Sequence, residues 1–594
     1  MTKKEILELL NQHEWKDVEF KEAKKDVPKN AYESVSAFAN TEGGYLIFGV
    51  RKSGTKYEIV GITDVDKVQN DFISTLRQKD KISCIIDVKE SLKTISGKDL
   101  LVFNIQEAKR QDKPVYLNGD IKRSFLRKGA CDVKCSDVEL KRLINDASKE
   151  SYDNYILDFD INKCFNPKDI TWYRQQYEGK AGNRSYLSLS DDEFLFQFGL
   201  IKETSSGRKP TVASILLFGQ DGYLRDILPR PVIDCQRYLY DSTSMGEGRW
   251  HDRVVCDYNL VQTWSNILDW YYRFAEIPFD VDPKTMQRKD QPSDYFAFRE
   301  SIVNILIHQD YSDQTRKAVI QHFSDMTRFW NPGDAFADIE TLLEPEEKDV
   351  RNPLIVTAFR RIGFSEHAGW GLRDIFRSWR GLGYLPPEII NDKSKKTFEL
   401  ILRQEILLSE EHLAFQKKIN VHLSQDEAAV FAYACRKLSV IHLNDIKAII
   451  DKPVSECLEV ANQLVNQALL AQVSENSFEL DSGMKEKFTA MVHDGVHDGV
   501  HDGVHDEAHD QLNETETKIL QACKEAKNTN QLLAILEYDS RTRNFRNALA
   551  NLLGAGLIEM TIPSKPRSKY QKYIISEKGI DLLKRIENNG SRRE

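Results

Sequence analysis

Glu14, Glu19 and Lys21 fall within the ten residues "EWKDVEFKEA". Carboxylates this close together could hold a magnesium or manganese ion against a phosphodiester, because these cations prefer oxygen ligands and bridge to phosphate. Lys21 could grip the phosphate, or it could cancel Glu19 as an ion pair at a sheet edge. A second pair, Glu300 and Asn304 in "FRESIVNILIHQDY", stands four residues apart and so shares one helix face. A third set is purely basic. Lys24, Lys25 and Lys29 follow the first glutamates, and Arg51 and Lys52 follow an apolar strand. Near the C-terminus, Arg541, Arg543 and Arg546 mark a helix start, and Lys565, Arg567 and Lys569 mark a hairpin tip. Cations so placed suit contacts to backbone phosphates.

These side chains need a scaffold. The chain has 594 residues, which predicts roughly four domains. Its hydrophobic and charged fractions, 41% and 29%, are those of an ordinary globular protein. No apolar run approaches the roughly 18 residues that span a bilayer. Glu5 and Glu8 among the first lysines read as an amphipathic helix, not a signal peptide, so no membrane partner and a cytoplasmic location are expected. The net charge of −9 gives no global basic field, so any nucleic-acid contact must come from local patches.

Residues 1–148 read as an α/β domain. A helix from about Pro28 through "YESVSAFANTEGG" ends at Gly43-Gly44, and "YLIFGV", "CIIDVKE", "DLLVFNIQE" and "RSFLRKG" read as strands. Ser136 caps a closing helix. Residues 149–290 mix helix and strand, with "TVASILLFG" expected as a buried strand, and 291–405 form a second α/β segment. Residues 410–485 and 512–590 each alternate helices with a hairpin, which is the order of a winged helix. Between them, 487–511 repeat His-Asp at every fourth position. Histidines so spaced share a helix face and could hold a metal, but the repeated glycines favour a linker. Cys131 and Cys135 have no second pair at zinc spacing, so the nine cysteines are expected as reduced thiols.

The order of "HEWKDVEFKEA", "SAFANTEGGYLIFGV", "KPVY" and "FLRKGACDVKCSDVEL" resembles the Schlafen/AlbA-type domain over about 140 residues. In the nuclease members, two glutamates and an aspartate carry metal-dependent cleavage. The resemblance puts the glutamates at Glu14 and Glu19. The aspartate's expected place holds Arg51-Lys52 instead, which shifts the balance from cutting toward gripping; Asp64, Asp66 or Asp87 could substitute. "FRESIVNILIHQDY", "DMTRFWNPG" and "VRNPLIVTAFRRIGFSEHAGWGLRDIF" resemble the GHKL-type ATP-binding domain of RecG-like regulators. That resemblance implies that Glu300 polarises the attacking water and Asn304 holds magnesium. It implies too that Gly369 and Gly371 let backbone amides approach phosphate, with Gly333 as a reduced first glycine box and Asp325 as the remaining candidate for reading adenine. The C-terminal stretch resembles the winged helix of the same regulators.

The expected architecture is therefore α/β multidomain: a Schlafen/AlbA-type domain, a GHKL-type α/β sandwich and two C-terminal winged helices. The expected function is an ATP-responsive nucleic-acid-binding regulator acting as a homo-oligomer. The alternative is an ATP-gated, metal-dependent RNA or DNA nuclease serving antiphage defense. A third reading is an assembly scaffold whose winged helices bind protein.

Overall fold

The computed structural model describes residues 3–11, 17–54, 56–148, 150–181, 186, 188–244, 249–277, 291–344, 349–364, 370–474, 476–497, 514–536, 545, 548–549, 552–553, 557–561, 572–576, 578–580 and 583. Glu14, Gly369, Arg541, Arg543, Arg546, Lys565, Arg567 and Lys569 lie outside that set. The chain divides into two compact units, one of residues 1–236, 252–322 and 327–403, the other of 237–251, 323–326 and 404–594. Among the described residues no helix is long and apolar enough to cross a membrane.

In the first unit, the N-terminal domain is built on a four-stranded sheet ordered Val18–Lys21, Gly44–Phe48, Lys98–Ile105, Val88–Ile95. The first two strands pair in parallel, so the chain must cross over between them, and the helix Ala31–Asn40 makes that crossing. The remaining pairs are antiparallel. Alternation along Gly44–Phe48 sends Leu46 and Phe48 to a core with Phe38, Phe72 and Phe103, and Ile47 to an opposite core with Ile6, Val18 and Val102. Phe72 sits at the centre of the first, 5.1 Å from Phe48 and 4.6 Å from Phe103, ring to ring.

The "SAFANTEGG" motif is a structural clasp. Asn40 Nδ2 donates to the carbonyls of Val115 (2.9 Å) and Phe125 (3.0 Å), and Val115 N donates to Asn40 Oδ1 (2.7 Å). Ser36 Oγ donates to the same Val115 carbonyl at 2.7 Å. Gly43 takes φ +76°, and a Cβ on Gly44 would lie 2.3 Å from the Phe38 ring. The closing helix Asp137–Ala147 begins with the expected cap, a full capping box of Ser136 and Glu139.

Further along the same unit, a six-stranded sheet runs Asp252–Cys256, Ile233–Arg237, Ala318–His322, Met326–Pro332, Thr397–Arg403, Glu388–Asp392. It therefore draws on residues 233–256 as well as 318–403. The helices Tyr295–His308, Pro353–Arg361 and Trp370–Gly381 pack with it around one apolar core. One expectation fails here: "TVASILLFG" is not a strand but the helix Val212–Phe218, capped by Thr211, whose side chain accepts from Ser214 N. All seven of its residues are buried, so neither a two-residue nor a 3.6-residue period could show in the sequence.

In the second unit, the helices Gln425–Lys437, Leu443–Ile450 and Val454–Asn466 precede the hairpin Leu470–Ser474 and Ser477–Leu480, whose second strand also pairs with Ile441–His442. The helix Ser482–His497 extends into the His-Asp repeat; His501, His505 and His509 lie outside the described residues. The helices Glu514–Ala522 and Thr529–Ile535 and the antiparallel pair Ile558–Met560 with Tyr573–Ile575 share a last core around Leu520, Leu532 and Ile558.

Truncation of a central aromatic leaves a cavity that neighbours fill only in part. Phe72→Ala is expected to lower the opening free energy of the amides in Lys98–Ile105 by about 3–5 kcal/mol, read by native-state hydrogen exchange. Unchanged exchange there would contradict this account of the core.

Candidate functional site

The helix Tyr295–His308 carries Glu300, Asn304 and His308 on one face, and all three line a cavity of about 350 Å³. The opposite wall comes from the end of the strand Met326–Pro332 and the turn after it, with Asn331, Gly333 and Asp334. Gly333 has φ +99°, and a Cβ there would come within 3.0 Å of Arg351 Nε and of Asp310 Cβ. A third wall holds Gly371, at the start of Trp370–Gly381; a Cβ on it would lie 2.4 Å from Glu300 Oε1. Both expected glycines that the structure describes are thus required by close approach. Arg351-Asn352-Pro353 opens the next helix, and Asn352 Nδ2 ties it to Tyr295–His308 by donating to the carbonyls of Ile307 (3.0 Å) and Gln309 (2.9 Å).

Among the described residues, several polar atoms of residues lining this cavity lack partners. Asn304 Nδ2, Asn331 Oδ1 and Arg351 Nε are buried without a hydrogen-bond partner among the described residues. Buried polar groups are normally satisfied, so orphans converging on one cavity are unusual. Arg351 stacks over Phe336 at 4.6 Å and donates through Nη2 to Asp334, 3.0 Å to the carbonyl and 3.1 Å to Oδ1. Its Nη1 pairs with Asp146 of the N-terminal domain. Lys396 Nζ joins both aspartates, 3.2 Å from Asp146 and 3.1 Å from Asp334. Burial alone would lower the arginine's pKa, but Asp146, Asp310 and Asp334 raise it above the ordinary value. Asp146 is held below its ordinary value, against its burial, by Arg351 and Lys396. His308 is pushed down to about 4 by burial and by the Arg351 cation, so it is neutral at physiological pH.

Asp325 is not in this cavity. Its carboxylate accepts from Ser242 N and Ser242 Oγ, each at 2.7 Å, which uses both oxygens to fix a local turn. Asp334, immediately after Gly333, and Asp349 are the aspartates that line the cavity. Asp334, Arg351, His308 and Asn331 were not among the residues expected from sequence, although Arg351 lies within the "VRNP" of a block that carried the resemblance.

The N-terminal candidate centre has a different character. Glu19 Oε1 takes a 2.7 Å contact from Lys21, and Oε2 takes 2.8 Å from Arg127 Nη1. Arg127 also reaches Asp132 Oδ1 at 2.8 Å and the Val18 carbonyl at 2.8 Å, and it stacks over Phe38. Its side chain is 1% exposed. Burial would lower its pKa, but Asp132 and Glu19 raise it. Arg51, where the resemblance expects an aspartate, is exposed and bonds its hairpin partner Glu58 at 2.7 Å. Among the described residues no group of three or more His, Cys, Asp or Glu could hold a metal ion. Both Glu19 oxygens are already neutralised by cations, so this side chain does not fit a magnesium or manganese ligand as it stands. Lys24 and Lys25 are exposed in the loop after the first strand, and Lys52 is exposed over the Tyr57 ring at 5.4 Å.

The depressed His308 pKa has a stability consequence. The unfolded chain takes up this proton near pH 6.5 and the folded chain only near 4. The contribution is therefore complete above about pH 6.5 and is lost as pH falls toward 4, by up to about 3 kcal/mol. Chemical denaturation at pH 7 and pH 4.5 is expected to show a smaller loss for His308→Gln than for wild type. Equal losses would contradict a buried neutral imidazole.

Residues 14–136 match the family described as "Schlafen, AlbA_2". Residues 141–234 match a domain of unknown function, and 316–402 match "Putative ATP-dependent DNA helicase recG C-terminal". Residues 515–576 match the C-terminal domain of Fic-like proteins (filamentation induced by cAMP). No curated protein matches the chain. Among solved structures, the DIP2311 protein of Corynebacterium diphtheriae is similar at 16% identity, covering 94% of this chain and 95% of that one, with a TM-score of 0.36. The N-terminal domain of a RecG-related protein from Nitrosomonas europaea is similar at 30% identity, over 22% of this chain and 88% of that one, with a TM-score of 0.18. The chain is a Schlafen AlbA_2-domain protein that carries a RecG C-terminal-type, ATPase-like domain in the same polypeptide.

Proposed function

We propose that the chain is an ATP-responsive nucleic-acid-binding regulator. The observation that carries this reading is the set of buried, unpartnered polar atoms, Asn304 Nδ2, Asn331 Oδ1 and Arg351 Nε, on residues around one cavity that Gly333 and Gly371 also line. Its size is at the lower end of the roughly 300–1,000 Å³ typical of small-molecule sites. On this reading Asn304 would orient a phosphate-bound magnesium and Glu300 would hold an attacking water, as the GHKL resemblance implies; both line the cavity. Magnesium, when bound, would neutralise charge on the phosphates. Asp334 supplies the only aspartate among the described residues directly after the Gly333 turn and replaces Asp325 as the candidate for base contact.

The nucleic-acid half of the reading rests on Lys24, Lys25 and Lys52 being exposed beside a glutamate already neutralised by Lys21 and Arg127. Such exposed lysines attract phosphate, and among the described residues Glu19 has both oxygens paired with cations. The C-terminal cations from Arg541 to Lys569 would add a second contact as a winged helix, and pairing of two chains would double it.

The metal-dependent nuclease, with a role in antiphage defense, stays as the second reading because of Asp132. It shares Arg127 with Glu19 and supplies an acid that none of Asp64, Asp66 and Asp87 was observed to supply. Incubation of tRNA and single-stranded DNA with manganese, beside a Glu19→Ala control, separates the two readings. The regulator reading expects no cleavage by either protein; cleavage lost in the variant would favour the nuclease.

ATP with magnesium is expected to raise the melting temperature of the full chain, and Asn304→Ala to remove most of that shift. No shift at millimolar ATP for either protein would end the nucleotide reading. Binding of an oligonucleotide is expected to weaken with salt, and Lys24→Glu with Lys25→Glu to reduce the salt slope by about two. A slope unchanged by both substitutions would move the binding surface elsewhere.

A further inference from the structure

The cluster of Asp146, Arg351, Asp334 and Lys396 joins two domains. Asp146 comes from the last turn of Asp137–Ala147, Arg351 and Asp334 line the nucleotide cavity, and Lys396 bridges the two aspartates. Each side chain is nine-tenths or more buried. Arg351 and Lys396 face Asp146 and Asp334, with Asp310 a further anion acting on Arg351, so an anion entering the cavity meets cations that carboxylates already hold. Arg351 already shows where the disturbance would fall. Its Nε is buried with no acceptor among the described residues, and Gly333 packs so closely that a Cβ there would come within 3.0 Å of it.

We infer that Arg351 is a phosphate contact of the nucleotide cavity, and that Asp146 of the N-terminal domain competes with the phosphate for it. This rests on the nucleotide reading above. A phosphate would give Arg351 a third anionic partner. Asp334 is the harder one to displace, because its backbone carbonyl also accepts from Arg351, whereas Lys396 pairs with both aspartates alike. Asp146 sits at a helix end and belongs to another domain, so it is the partner that yields. Other ties between the same two domains do not use Asp146: Arg142 holds Asp313 at 2.8 Å, Lys393 holds Glu107 at 2.5 Å, and Arg110 meets the cavity lining at Asp349 (3.6 Å) and over Phe336 (4.7 Å). Release of Asp146 is therefore a local loosening of the last turn of its helix.

That helix packs on the strand Asp120–Lys128, and Lys128 of the strand pairs with Glu139 of the helix. The same strand carries Arg127, which neutralises Glu19 beside the exposed lysines. A path of packed and charged contacts thus runs from the cavity to the nucleic-acid surface. Because linkage is reciprocal, an oligonucleotide that alters this strand must alter nucleotide affinity by the same factor.

The test uses the full chain with ATP and magnesium, and with adenosine, each titrated with and without a saturating single-stranded oligonucleotide. Arg351→Met is expected to weaken ATP about tenfold and leave adenosine unchanged, as loss of a charge-assisted phosphate contact requires. Arg351→Lys is expected to fall between and decides the point should the methionine variant melt early. Asp146→Asn is expected to tighten ATP and to abolish a wild-type linkage of about fivefold or more. Equal weakening of ATP and adenosine by both Arg351 variants, or wild-type linkage surviving in Asp146→Asn, would overturn the inference. A wild type that binds neither ATP nor adenosine would overturn the nucleotide reading and this inference together, a result distinct from nucleotide binding without linkage.

Discussion

A buried charge cluster tolerates little freedom in what surrounds it. Asp146, Arg351, Asp334 and Lys396 satisfy one another with water largely excluded. Loss of any one leaves an uncompensated charge, at a cost of about 3–5 kcal/mol, so the groups that present them must stay in register. This constraint explains why the turn at Gly333 has its left-handed backbone. It brings Asp334 to Arg351 at a point where a Cβ would crowd Arg351 Nε and Asp310. It also explains the placement of the closing helix of the N-terminal domain, whose last turn must reach a cavity wall far along the chain. Glu107, held between Lys113 and Lys393, repeats the arrangement at the same junction.

The two candidate centres make opposite use of charge. Around the cavity, polar atoms are left unsatisfied, which costs stability and pays off only if a ligand completes them. Around Glu19 nothing comparable remains: Lys21 and Arg127 occupy both oxygens, and Arg127 goes on to Asp132 and the Val18 carbonyl. The first pattern is unpaired polar atoms around a cavity. The second is a cross-link of Glu19 and Asp132 through Arg127, with Lys24, Lys25 and Lys52 exposed.

Local periodicity made much of this legible. The four-residue spacing of Glu300 and Asn304 placed both on one helix face, and the structure puts both in the cavity. The glycine turn after "SAFANTE" and the cap at Ser136 were readable because each is a local steric or hydrogen-bonding device. Partnerships formed by folding were not readable. Arg351 and Asp146 are 205 residues apart, and Arg127 and Glu19 are 108 apart. No spacing rule connects such pairs. Asp325 attracted attention as an acid near a motif, but only the fold shows that Ser242 already holds it. The helix Val212–Phe218 was misread as a strand because complete burial erases the pattern that tells the two apart.

The central claim is that one ligand in the cavity is felt by the last helix of the N-terminal domain. Hydrogen–deuterium exchange of the full chain, with and without ATP and magnesium, addresses it directly. The account predicts slower exchange in Tyr295–His308 and Pro353–Arg361 together with faster exchange in the last turn of Asp137–Ala147. Protection around the cavity with no change in that last turn would contradict it.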